Sequence, residues 1–141
     1  MPEDSPADLV AELLDSARAV AANAYSPYSK FRVGCALVSA SGARYVGCNV
    51  ENASFGLTQC AERAAITAGV AAEGASFRIA RIVVVVLAAN TYFPPCGACR
   101  QVVAEFAMPD MWMHWPGPTG LVSVRMEQIL PGAFQADALK I

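Results

Sequence analysis

Histidine is nearly missing from this sequence: His114 is the only one in 141 residues. A Ser–His–Asp nucleophilic site needs an imidazole. The one present sits in Met111-Trp112-Met113-His114-Trp115, with no Ser or Asp in a recognisable triad context. It also lacks a metal ligand's spacing to the cysteines, so His114 is expected to be a solvated or edge-strand residue. Charge is scarce too, at 16 % of residues against about 25 % in an average soluble protein. With a net charge of −2, a pI near 5.3 and no run of Lys and Arg, the chain lacks the basic face that general nucleic-acid binding requires. Long apolar runs are absent: even the stretch Val83-Val84-Val85-Val86-Leu87-Ala88-Ala89 is far shorter than the ~18 residues of a membrane span. The first ten residues carry early acids and no basic-then-apolar leader pattern, so a cytoplasmic protein is expected, with neither membrane nor nucleic acid as partner.

What is present is apolar. At 55 % hydrophobic residues, one domain spanning 1–141 can bury a sizeable core. The shortage of charge leaves apolar surface over, which argues for a second subunit to cover it. Leu9, Val10, Leu13, Leu14, Ala17, Val20 and Ala21 recur at helical spacing after a Ser5-Pro6 start. Strands are expected over 31–38 and 44–49, joined by a turn at 39–43, then a helix from Cys60 through Ala71. A strand follows over 79–87, apolar enough from Ile82 onward for burial on both faces. A helix over 98–106, strands over 111–115 and 121–124, and a short helix over 127–130 complete the chain. Helices alternating with strands predict an α/β fold, a three-layer α/β/α sandwich around a central five-stranded mixed sheet. Trp112, Met113 and Trp115 make the fourth strand more apolar than a sheet edge should be, which suggests cover from a partner.

Five cysteines in a reducing compartment point to metal or catalysis rather than disulfides. Cys35 and Cys48 stand singly in strand-like surroundings and read as core filler. The other three fall in Cys60-Ala61-Glu62 and Pro95-Cys96-Gly97-Ala98-Cys99. A catalytic zinc site uses three protein ligands and leaves the fourth tetrahedral position to water. Cys96 and Cys99 can close on one ion as the chain enters a helix, and Cys60 can supply the third thiolate from the start of another, where the helix dipole favours negative charge. Glu62, two residues from a ligand, can serve as general base and acid without replacing that water, the pattern of zinc deaminases of nucleobases. Three thiolates leave a zinc site with net negative charge, and Arg63 and Arg100 are the candidates to offset it by hydrogen bonding to ligand sulfurs. The competing possibility is a structural zinc with Cys35 or Cys48 as fourth ligand. Structural sites, however, usually pair two short Cys-x-x-Cys units, and here there is one.

With these residues in place, the chain resembles the cytidine deaminases, in particular the short, homotetrameric type. The resemblance runs from about Tyr25 to Leu139. It is carried by Tyr28-Ser29-Lys30-Phe31-Arg32-Val33-Gly34, Gly47-Cys48-Asn49-Val50-Glu51-Asn52-Ala53, the two cysteine segments, and Ile129-Leu130-Pro131-Gly132-Ala133-Phe134. It implies one Zn2+ per subunit and hydrolysis of cytidine and 2′-deoxycytidine to the uracil nucleosides and ammonia, in pyrimidine salvage. It implies further that Asn49 and Glu51 hold the ribose 3′-hydroxyl, that Phe31 packs on the pyrimidine, and that the backbone near Ala61 reads the base edge. Phe134 would reach into a neighbouring subunit's site. Phe55 stands where such enzymes often have Tyr, and Gln135-Ala136 where Gly-Pro commonly follows. A deaminase of another aminopyrimidine nucleoside, of the blasticidin type, and a non-catalytic zinc-binding module are the alternatives.

Overall fold

The computed structural model describes residues 6–139, so the Ser5 cap lies outside the described residues. Helix α1 (Pro6–Ala21) buries Val10, Leu13, Ala17 and Ala21 on one stripe. Strands β1 (Val33–Ser39) and β2 (Arg44–Cys48) form a hairpin, followed by α2 (Ala61–Glu73), β3 (Ile79–Val86) and α3 (Gly97–Phe106). The chain then passes directly into β4 (Ala107–Gly117), turns into β5 (Gly120–Arg125) and ends with the short α4 (Met126–Ile129) and a 3-10 turn at Ala136–Leu139. The first strand starts at Val33 rather than Phe31, because Lys30 takes a left-handed conformation (φ 66°) just before it. The fourth is longer than expected, running from the end of α3 with an irregular register against β3.

The sheet order is β2-β1-β3-β4-β5, antiparallel except for the β3/β4 pair. That parallel pair is connected through α3, as a parallel crossover demands. One core cluster, with Cys35, Leu37, Ala65, Ile66, Ile82, Val84, Val103 and Met113, lies beneath α2 and α3. The other, with Leu13, Ala17, Ala36, Val83 and Val85, lies beneath α1. Consecutive valines of β3 thus feed opposite layers, and the three-layer sandwich expected from the sequence is the one observed.

Two glycines set how closely the helices approach. A Cβ on Gly34 would strike the Ala17 carbonyl oxygen of α1, and one on Gly47 would strike the Ala65 nitrogen and, at 2.6 Å, the Ala61 oxygen of α2. At its far end α2 is tied down by Glu73, whose Oε2 accepts hydrogen bonds from Ser39 Oγ (2.7 Å), Ser41 Oγ (3.0 Å) and Tyr45 OH (2.8 Å). Those donors offset the unfavourable position of a carboxylate at a helix C-terminus.

The expectations for the fourth strand need correction. β4 is not an edge, because β5 pairs along its outer side. Met113 is in the chain's own core, Trp115 packs against it, and Trp112 lies under the Arg125 guanidinium, 4.8 Å from the ring centre. His114 is neither solvated nor at an edge. It is 4 % exposed, with Nε2 2.7 Å from Arg81 Nη1 and Nδ1 2.7 Å from Ser123 Oγ. Burial first, and the Arg81 charge second, push its pKa down to about 4, so the ring is neutral at pH 7.

Candidate active site and metal centre

Two helix starts meet at one end of the sheet. Cys60 is the N-cap of α2 and Cys96 the N-cap of α3, both with extended backbone. Cys96 Sγ accepts a hydrogen bond from the Cys99 backbone N–H at 3.4 Å, which folds the Cys-Gly-Ala-Cys segment back on itself. The sulfurs of Cys60, Cys96 and Cys99 all lie within 4.8 Å of one another. Thiolates around one tetrahedral zinc, each about 2.3 Å from the ion, stand about 3.8 Å apart. The cluster therefore fits a single zinc ion by donor chemistry and by compactness. Neither Cys35, in the core, nor Cys48 joins it, so among the described residues three thiols converge and no fourth closes the site.

The electrostatics favour thiolate at Cys60. Cys60 is drawn down to about 5, first by the Cys99 thiol hydrogen-bonding to it and then, against the opposing effect of burial, by Arg63. Cys99 moves up as the donor in that pair. Arg63 Nη2 donates to Cys60 Sγ at 3.1 Å, and the contact raises the guanidinium pKa above its usual range. This is the charge compensation expected of Arg63. Arg100 does something else: its Nε donates to the Pro95 carbonyl (2.8 Å) and its Nη1 to the Ile129 carbonyl (3.0 Å), so it braces the loop before α3 and touches no sulfur.

Glu62, in the first turn of α2, is 4 % exposed, and burial raises its pKa, partly offset by a hydrogen bond from Cys99. It faces a cavity of about 260 Å³ whose wall also includes Asn49, Cys60, Ala61 and Cys96. The remaining lining is mostly apolar, from Val33, Val84, Phe93, Pro94 and Pro95, with Thr58 at one side. Thr58 and Phe93 were not singled out from the sequence; the signal available was only their nearness to Cys60 and to Pro94-Pro95-Cys96.

The other predicted residues sit further out. Phe31 does not line the cavity but packs edge-on against Phe93, ring centres 4.9 Å apart and planes at 86°. Asn49 Oδ1 accepts from the Val33 N–H (2.8 Å), and its Nδ2 donates to the Phe31 carbonyl (2.9 Å). Glu51 accepts from the Tyr28 N–H (3.0 Å), the Ser29 N–H (3.1 Å) and Ser29 Oγ (2.5 Å), and the Ser29 hydroxyl is the main reason its pKa is lowered. Both side chains thus brace the connector that leads into β1. Phe134 is 61 % exposed and does not line the cavity; its carbonyl accepts from Gln101 Nε2 at 2.8 Å.

The chain is 39 % identical over 133 residues to a cytidine deaminase of Sporosarcina psychrophila, covering 92 % of this chain and 94 % of that protein. It is 43 % identical over 115 residues to one of Halalkalibacterium halodurans, covering 81 % and 85 %. Among solved structures, the cytidine deaminase of Burkholderia pseudomallei superposes with a TM-score of 0.77 at 40 % identity, over 88 % of this chain and 98 % of that one. The family model described as "Cytidine and deoxycytidylate deaminase zinc-binding region" matches residues 9–114, a span that holds all three clustered cysteines and Glu62. The chain belongs to the cytidine and deoxycytidylate deaminase family.

Proposed function

We propose that the protein is a zinc-dependent hydrolase that converts cytidine and 2′-deoxycytidine to uridine and 2′-deoxyuridine with release of ammonia, in pyrimidine salvage. The observation that carries this reading is a buried carboxylate, Glu62, placed beside three converging thiols in a cavity bounded by two helix starts. Zinc held by Cys60, Cys96 and Cys99 would supply a water activated at neutral pH. Glu62 would take a proton from the attacking water, deliver it to N3 of the base and hand another to the departing amine, alternating as base and acid. Its burial, which favours the protonated form, suits a group that must hold a proton between steps.

Arg63 would keep the sulfur-rich site from accumulating negative charge. The backbone around Ala61, at the α2 N-terminus, would meet the base edge, and Phe31 would reach the pyrimidine side through its contact with Phe93. Asn49 and Glu51 would hold the ribose 3′-hydroxyl. Phe134 would complete the site of a neighbouring copy in a homotetramer, a reading supported by the exposed apolar side chains Tyr25, Phe55, Leu57 and Phe134. The single 1–141 domain would work in the cytoplasm, in keeping with its five free cysteines. No helix among the described residues is long and apolar enough to cross a membrane.

The test is turnover. Purified protein is mixed with cytidine, and the ultraviolet absorbance change on conversion to uridine is followed with and without a strong zinc chelator. Turnover that the chelator removes and added zinc restores is expected. A folded, zinc-loaded sample that leaves cytidine and deoxycytidine untouched would overturn the substrate assignment.

A further inference from the structure

We infer that Phe93 is a specificity-determining residue, a size filter against the C5 edge of the pyrimidine. The inference rests on the reading of the site as a cytidine-type deaminase. The cavity has two sides of different origin. Residues 60–62, entering α2, supply the carboxylate that must reach N3 and the amine; residues 93–96, entering α3, supply a second part of the wall. In a cytosine the reacting C4 is flanked by N3 on one side and C5 on the other. A base that presents N3 to Glu62 turns C5 away from the α2 start, toward lining that includes the apolar side chains of Phe93, Pro94 and Pro95.

Phe93 is also well placed to be selective. The residue before a proline is confined to extended backbone, so Pro94 limits how far the main chain at Phe93 can shift. Phe31 rests edge-on against its ring. Phe93 and Val84 also line a second cavity of about 260 Å³, with Arg18, Tyr92 and Pro116. Phe93 thus borders both spaces, and the size of its side chain decides how much room a base has there. An added methyl at C5 meets the ring, whereas a smaller residue opens the neighbouring space to it.

The experiment compares kcat and KM for cytidine and 5-methylcytidine in the wild type, Phe93→Leu and Phe93→Ala, with zinc content and Tm measured on each sample. Wild-type turnover of cytidine comes first; its absence would overturn the functional reading, and the filter with it. With that turnover established, the preference for cytidine over 5-methylcytidine should fall about tenfold or more in Phe93→Ala, the size of effect one methyl group has in a fitted apolar pocket. Phe93→Leu should fall between the two, chiefly through KM, with zinc retained. A preference that stays constant across folded, zinc-loaded variants would overturn the filter and leave the deaminase reading standing.

Discussion

The inner end of the site and the surface around it are built on different plans. The inner end comes from two short segments, 60–63 and 96–99, each at the start of a helix, and its carboxylate is 4 % exposed. The stretches around Phe31, Glu51, Phe55 and Phe134 are separated in the chain and lie outside the cavity lining, and their apolar members face outward, with Phe55 73 % exposed. Titration follows the same division: burial raises the Glu62 pKa, whereas hydrogen-bond donors lower that of the solvent-facing Glu51. The thiol cluster and Glu62 are packed together by one chain, while the stretches around Phe31, Glu51, Phe55 and Phe134 stay largely at its surface.

That contrast can be broken most sharply at Glu62. Glu62→Gln should retain zinc and lose turnover by about 10²–10⁴-fold, the range for a general acid–base group; metal analysis and the cytidine assay on one sample decide it. Arg63→Gln should weaken zinc affinity or activity by about 10–100-fold, as loss of a group bonded to a metal ligand does, read by competition with a chelator of known affinity. Phe134→Ala, at that surface, should raise KM while changing stability by no more than about 0.5 kcal/mol. Mixing it with Glu62→Gln under conditions of subunit exchange should restore activity above either parent; no restoration would confine each site to one chain.

The smallest effect belongs to Glu51→Gln. The folded-state pKa of Glu51 lies below its ordinary value of 4.5, so its contribution is complete above that value and fades as pH falls through the lowered one. The variant should have a lower Tm at pH 7 and a shallower loss of Tm between about pH 5 and 3. An unchanged slope would show that the Tyr28–Ser29 hydrogen bonds do not stabilise the connector.

Much of the inner end was legible in the sequence, because a helix start fixes the positions of its next few residues locally. Cys60, Glu62, Arg63, Cys96 and Cys99 needed only their own segments to be placed. The interior position of β3 was legible for a related reason: its unbroken valines demand burial on both faces. Arg100 was not, since nothing near it in the chain reveals that the Ile129 carbonyl will lie within reach. His114 was misplaced because its neutral, buried state depends on Arg81 and Ser123, from strands on either side. Phe93 escaped notice for the opposite reason: an aromatic beside two prolines reads as loop until the second wall of the cavity is known.

The clamp at Glu73 has a mechanical consequence. Helix α2 carries its anchor, Glu73, at one tip and its buried carboxylate, Glu62, near the other, 11 residues and about 17 Å apart. Were the helix to tilt as a rigid rod about those three hydroxyl groups, one degree would move the Glu62 end by about 0.3 Å. The aim of Glu62 is therefore shared with Ser39, Ser41 and Tyr45 at the far end of α2, none of which lines the cavity.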